Sequence, residues 1–252
     1  MAIVWRDKLL AFGIHFIATA LLATAAAALI FGVWFPAPFN AMIGGTKLFV
    51  LVVGCDLALG PLISLVIFNR GKSRRHLVID YSIVALVQLA ALGYGVWVMA
   101  GSRPAYLAYV VDRFEVVAAH AISDADLAET RDPRFARRPL FGPELVTVKV
   151  PSAEEQDVLF EELAGHQSGA RPRFYVPFPA GLEEIRRRGG MIPDLEKRHP
   201  EARAELERAV ADAGVPAARL RWLPVAARLG FWTALIDFET GKPVSFADLD
   251  PY

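Results

Sequence analysis

The chain has 252 residues, 54% of them hydrophobic, and a formal net charge of zero with a mean hydropathy of +0.36. Its single cysteine, Cys55, excludes an intramolecular disulfide and a cysteine-based zinc site. The zero charge sums two unlike parts: residues 1–101 hold seven Lys/Arg and three Asp/Glu, residues 102–252 twenty and twenty-four, so the second part lacks the basic excess of a nucleic-acid binder.

The first part contains three apolar runs, at about 9–35, 48–68 and 78–100. Each has roughly the 20 residues needed to cross ~30 Å of hydrocarbon as a helix. The first follows Arg6 and Lys8 and closes on Trp34-Phe35-Pro36, an interfacial aromatic followed by a helix stop. It is nearly twice the length of a signal-peptide core, so it reads as an uncleaved span. Gly44-Gly45 read as a turn before the second run, and the loop "PAPFNAMIGGTK" between the first two carries only Lys47. The next loop, "NRGKSRRH", carries Arg70, Lys72, Arg74 and Arg75. The positive-inside rule then puts the N-terminus and the Arg-rich loop in the cytoplasm and residues 102–252 on the far side, a periplasm in a bacterium. The third run ends near Tyr94 and Trp97, again interfacial aromatics.

The second part reads as a mixed α+β domain. "AYLAYVVDRFEVVAAH" predicts a hairpin around Asp112-Arg113, and "ELVTVKV" (144–150) alternates as a strand. Ser123 with Asp126, and Ser152 with Glu155, are capping signals for two helices, the second over "AEEQDVLFEELAGH". "RPRFYVPFP" reads as extended, "GLEEIRRR" and "EARAELERAVADAG" as short helices, the latter stopped by Gly214. "FWTALIDFETGKPVSF" predicts a closing hairpin around Thr240-Gly241-Lys242. The expected architecture is an α+β membrane protein: a three-helix transmembrane bundle over 1–101 and a periplasmic α+β domain over 102–252.

Asp56 is the costly residue, a carboxylate about nine residues into the second run and so ~13 Å below the outer surface. His15 lies ~9 Å from the cytoplasmic end of the first run, and Gln88 lies near the middle of the third. Asp56, protonated or hydrogen-bonded to His15 or Gln88, would hold three helices in register. The other readings are a contact with a partner helix and proton chemistry. An aspartyl protease would need a second carboxylate at the same depth, and Asp80 falls at the opposite edge. Gly54, Gly60 and the alanines over 23–28 offer small surfaces for close helix approach, within the bundle or to another protein. His76, His120, His166 and His199 are scattered without metal-ligand spacing, and "RDPRFARRP" reads as a solvated face, with an acidic partner or anionic lipid headgroups as the other reading. No catalytic motif or phosphate loop is present, so no enzyme activity, cofactor or metal is expected.

The segments "KLLAFGIHFIATALLA", "WFPAPF", "GGTKLFVLVVGCDLALGPLISLVIFN", "LVQLAALGYGVW" and "RPAYLAYVVDRFEVV", in that order, resemble the TfpX/TfpZ-type type IV pilin accessory proteins. The resemblance covers residues 8–118, with His15, Lys47, Asp56, Gly60-Pro61 and Arg113-Phe114 in its most distinctive segments, and continues more weakly through "RRPLFGPELVTVKVP" and "LIDFETGKPVSFADLDP". It implies a non-enzymatic inner-membrane accessory protein or chaperone that stabilises a type IV pilin and assists pilus assembly. The expected partners are the pilin transmembrane helix, met by the bundle within the lipid bilayer, the pilin's periplasmic head, met by the 102–252 domain, and other pilus assembly proteins. It supplies no catalytic residues. His15, Gly54, Asp56, Gly60, Pro61 and Gln88 are the residues expected to meet a partner helix. An envelope sensor, or a small transporter using the Asp56/His15 pair, is the alternative; the sensor is disfavoured because the cytoplasmic segments leave no output domain.

Overall fold

A computed structural model describes residues 2–67, 73–152, 154 and 167–252. The chain forms two units, one from residues 1–35 and 45–101, the other from 36–44 and 102–252.

The first unit is helical. α1 (Ala2–Leu29) runs into a π-turn, Ile30–Trp34, while α3 (Gly45–Ile67) and α4 (Arg74–Ser102) are continuous helices. All three are long and apolar enough to cross a membrane, with mean hydropathies of 2.0 to 2.4 and only 11–17% of each apolar window buried. Side chains facing outward from such helices need an apolar solvent, and the protein is a membrane-anchored α+β protein. Each helix begins a few residues before its apolar run, because Lys47, Arg74, Arg75 and His76 continue the helix into polar surroundings. Arg74 and Arg75 are exposed there; Arg70 and Lys72 lie outside the described residues. α1 packs along α3, and Ala23, Ala26 and, just past its end, Ile30 are buried on one stripe spaced i, i+3, i+7. Phe31 and Phe49 meet edge to face at 5.1 Å. α4 follows neither helix closely and touches α3 at chosen points, such as Gly95 against Val52.

The second unit is built, among the described residues, on a seven-stranded mixed sheet of order β4-β3-β1-β2-β5-β6-β7. β1 (Pro104–Val110) and β2 (Arg113–Ala118) form the expected hairpin, in register from Val110↔Arg113. β3 (Glu144–Val148) lies parallel to β1, and β4 (Tyr175–Pro177) closes that edge antiparallel to β3. β5 (Leu220–Ala227) joins β2 in parallel, β6 (Gly230–Asp237) pairs along all of β5, and β7 (Pro243–Ala247) is the other edge. β1 is buried at every position, so both faces of the sheet are covered at its centre. One face packs Tyr106, Phe135 and Tyr175 edge to face, and the other carries Tyr109, Phe114 and Phe178.

α5 (Asp124–Ala128) is capped by Ser123, whose hydroxyl accepts from the Asp126 amide at 3.0 Å, as the capping signal predicts. The helix expected over 153–166 falls almost wholly on residues outside those described. α6 (Leu182–Arg188) and α8 (Arg203–Asp212) form where the sequence predicts them. "RPRFYVPFP" is only partly extended, because β4 is flanked by 3-10 turns at Pro172–Phe174 and Phe178–Gly181.

Two elements were not legible in the sequence. α7 (Ile192–Arg198) follows Gly189-Gly190 and has a proline in its first turn, which reads as loop. β5 contains Pro224, a residue that argues against an inner strand. Backbone groups alternate along a strand, and Trp222 exchanges both its bonds with Gly190 on the side away from β6. Pro224 faces that same side, so β6 loses no donor. Leu195, Leu206, Leu220, Leu235 and Ala247 then form one core between the helices and β5–β7.

Residues 36–44 belong to this unit rather than to the helices they connect. They form a short helix, α2 (Phe39–Ile43), with Met42 fully buried and Phe39 edge-on to Phe246 of β7 at 5.5 Å. The last carbonyls of α2 have no helical donor. Leu229 N–H meets Met42 O at 3.2 Å, and Arg228 Nε meets Ile43 O at 2.8 Å. Gly44, at φ 79°, ends α2 in the left-handed conformation, and a Cβ there would press on Leu229.

Candidate functional site

Polar groups within the helical unit gather at one place. Asp56, Gly60 and Ser64 stand at i, i+4 and i+8 on one stripe of α3, facing His15 of α1 and Gln88 of α4. His15 Nδ1 lies 2.5 Å from Ser64 Oγ, and His15 Nε2 lies 2.7 Å from Gln88 Oε1. With a proton on Nε2 the ring donates to Gln88, and Nδ1 faces the serine hydroxyl, whose single proton serves either the ring or Gly60 O. The Gln88 amide nitrogen donates to the Asp56 backbone carbonyl at 3.2 Å, and Ser64 Oγ reaches Gly60 O at 3.2 Å. Tyr81 Oη contacts Ser64 O at 3.5 Å. A Cβ on Gly60 would overlap the Gln88 amide, so the glycine is what lets that side chain cross. Three helices are thus tied by one chain of hydrogen bonds in an apolar setting.

The Asp56 carboxylate is not part of it. The sequence favours a bond from Asp56 to His15 or Gln88, yet those two bind each other, and Gln88 takes the aspartate's backbone instead. Among the described residues the carboxylate has no hydrogen bond or ion pair. It is half-buried and lines a groove of about 450 Å³ between α1 and α4.

The groove's walls are two helical faces. α1 contributes Ala11, Ile14, His15, Ala18, Thr19 and Leu22, and α4 contributes Tyr81, Ala85, Gln88, Leu89 and Leu92. Each wall spans 12 residues, just over three turns or about 16 Å. Asp56 is the only acidic side chain in that lining. Asp80 does not line it, so the paired carboxylates of an aspartyl protease are not assembled there. Among the described residues no three His, Cys, Asp or Glu side chains are placed to hold a metal ion.

The remaining predicted residues divide between inside and outside. Gly60 and Pro61 are buried in the helical unit. Gly54 is exposed, does not line the groove, and a Cβ on it would meet nothing within 4 Å. Ser64, Tyr81 and Thr19 are site residues that sequence reasoning missed. Ser64 does share the stripe of Asp56 and Gly60, eight and four residues along one helix, but nothing in its own helix marks it as the partner of His15, and Tyr81 and Thr19 carry no such spacing.

A family described as "Fimbrial assembly protein FimB" matches residues 3–44, which include His15 and α2. Three similar proteins come from Dichelobacter nodosus. "Fimbrial assembly protein, serogroup E1" is 28% identical over 229 residues, covering 89% of each chain. "Fimbrial assembly protein, serogroup I" is 33% identical over 177 residues, covering 69% of this chain and 68% of the relative. "Fimbrial assembly protein, serogroups C1 and C2" is 34% identical over 105 residues, covering 42% of this chain and 80% of the relative. No solved structure matches. With a third of residues identical across more than two thirds of both chains, the protein belongs to the fimbrial assembly protein family.

Proposed function

We propose that this protein is an inner-membrane accessory factor of type IV pilus assembly that holds a pilin subunit before it is built into the fibre, acting by binding rather than catalysis. Family membership supports the assembly role, and the resemblance over 8–118 points to type IV pilin. Such a subunit waits in the membrane by an apolar N-terminal helix with a globular head outside. The observation that carries the reading is the unpartnered Asp56 carboxylate on a three-turn groove between two helices. An aspartate in hydrocarbon costs about 3 kcal/mol on insertion scales, so a donor brought by a docked helix offsets a penalty that the bundle leaves standing. Interhelical hydrogen bonds in membranes contribute about 0.6–2 kcal/mol each. The apolar walls add van der Waals contact along the helix.

Connectivity and charge support the orientation in this reading. The sheet unit is joined to the helices after residue 35, before 45 and after 101, the ends of α1, α3 and α4 that a three-span chain leaves on one side. Arg74 and Arg75 begin α4 at the opposite end. The positive-inside rule makes that end cytoplasmic and the sheet domain periplasmic, where it can meet the pilin head. The test is co-purification of pilin from membranes with wild-type, Asp56→Asn and His15→Ala proteins, with surface pili counted in parallel. Asp56→Asn is expected to lose pilin, and His15→Ala to retain less of it through a loosened α4. Normal pilin recovery and piliation with both variants would sink the docking proposal.

A further inference from the structure

Leu140 and Phe141 stand out of the sheet domain side by side, 62% and 74% exposed. Exposed apolar pairs are commonest on mobile tips, but this one is fixed at both ends. Pro139 is buried, and its carbonyl accepts from Arg103 Nε at 3.0 Å and Nη2 at 2.8 Å. Gly142, at φ 50°, turns the chain back toward β3, which pairs with the central strand β1.

The neighbouring arginines divide into two groups. Arg138 donates to Ala119 O and Ile122 O and pairs with Asp124, and Arg134 pairs with Asp132. Arg131 and Arg137 are exposed, and among the described residues neither side chain donates a hydrogen bond or joins an ion pair. The tip therefore offers two apolar side chains with two uncompensated cations close by in sequence.

Chain continuity says what medium meets it. Arg103, which holds the root of the tip, follows Ser102, the last residue of α4. Tyr94 and Trp97, with rings 5.8 Å apart and both side chains exposed, mark the hydrocarbon edge on that helix. Arg103 lies six residues past Trp97, about 9 Å along a helix, which is headgroup depth. An apolar pair preceded by arginines and rooted on Arg103 has the composition of an interfacial anchor.

We propose that Leu140 and Phe141 enter the headgroup–acyl boundary of the leaflet from which α4 emerges, while Arg131 and Arg137 bind anionic phospholipid headgroups. This rests on the membrane-spanning reading of the helices and is independent of any pilin. The full chain, with Cys55→Ser and Phe141→Cys, is labelled with bimane and placed in nanodiscs of phosphatidylcholine alone or mixed with phosphatidylglycerol. A Lys197→Cys label, at a position whose side chain is 78% exposed, is the reference. The expected result is a blue-shifted emission at 141, quenched by bromine near the top of the acyl chain, with neither effect at 197. Phosphatidylglycerol deepens the quenching at 141, and Arg131→Gln with Arg137→Gln removes that increment. Emission at 141 as water-like as at 197 in both lipids overturns the anchor. Quenching that ignores lipid charge overturns the arginine assignment. Shielding that appears only after a pilin subunit is added makes the tip a protein contact and overturns the proposal.

Discussion

The two units solve the problem of polar groups in opposite ways. In the sheet domain, charges lie at the surface in pairs such as Arg188–Glu184 and Arg203–Glu207, and the interior is aromatic and aliphatic. In the helical unit the outside is apolar, and the few polar side chains at depth form one inward chain through His15, Ser64 and Gln88. Water can satisfy whatever the sheet domain leaves exposed; hydrocarbon cannot. An unpaired carboxylate is therefore ordinary on the first unit and informative on the second, which is why Asp56 rather than any of the other acidic residues marks the candidate site. The contrast also predicts where truncation hurts.

The largest effect is expected in the sheet core. Tyr106 is fully buried, packs against Tyr175 at 4.8 Å and donates to Arg137 O at 2.9 Å. Tyr106→Ala leaves a cavity and an unsatisfied carbonyl and is expected to cost about 4 kcal/mol. Leu21 has the same apolar character but is 67% exposed on α1. Leu21→Ala is expected to change stability by no more than about 0.5 kcal/mol. Thermal unfolding of the full chain in detergent, followed by near-UV circular dichroism, separates the two. Equal losses would mean that the α1 surface is packed rather than lipid-facing.

A smaller, pH-dependent effect is expected at the β6–β7 turn. Asp237 is buried, and its carboxylate accepts from Arg219 Nη2 at 2.8 and 2.9 Å, from Thr240 Oγ1 at 2.9 Å and from the Glu239 amide at 3.3 Å. Burial alone would raise its pKa, but the bonds from Arg219, Thr240 and Glu239 outweigh it and hold the carboxyl below its ordinary value of 3.8. A depressed folded pKa gives stability that is complete above the unfolded value and is lost as pH falls through the folded one. Asp237→Asn is therefore expected to destabilise by about 1–3 kcal/mol at pH 6, with the gap to wild type closing as pH falls below 3.8. A gap that stays constant from pH 6 to pH 2 would show that the charge is not what the turn uses.

The same contrast explains what was legible in the sequence. The three apolar helices were, because length and apolarity alone specify them, and so was the β1–β2 hairpin, because two β-branched and aromatic runs bracket a polar turn, which falls one residue earlier than Asp112-Arg113. The pairing of His15 with Ser64 and Gln88 was not, since helix register across a bundle leaves no trace in any one helix and a serine in an apolar run is unremarkable. β5 was hidden by Pro224, whose missing donor costs the pairing with β6 nothing because of the side it faces. Residues 36–44 looked like a plain connection. Their apolar side chains, Phe39, Met42 and Ile43, find a core only once β7 and Arg228-Leu229 are in place.

The smallest expected effect on stability bears most directly on function. Gly54 and Gly60 are both small residues on α3, and sequence alone offers both for close approach. At Gly60 a methyl group displaces the Gln88 amide, a flexible end that can swing away. Gly60→Ala thus breaks the bonds from Gln88 to His15 and to the Asp56 carbonyl, about 0.6 kcal/mol each, while gaining up to about 1 kcal/mol of helix propensity. Its net stability change is expected to lie within about 1 kcal/mol of zero, yet pilin recovery is expected to fall, because α4 is the groove's second wall. At Gly54 the methyl group meets nothing and the residue does not line the groove. Gly54→Ala is expected to be neutral or slightly stabilising and to recover pilin at the wild-type level. Side-by-side pull-downs read the difference. Loss of pilin with Gly54→Ala and retention with Gly60→Ala would move the docking face off the groove to the exposed face of α3 that carries Gly54, and Asp56 would then serve the bundle alone.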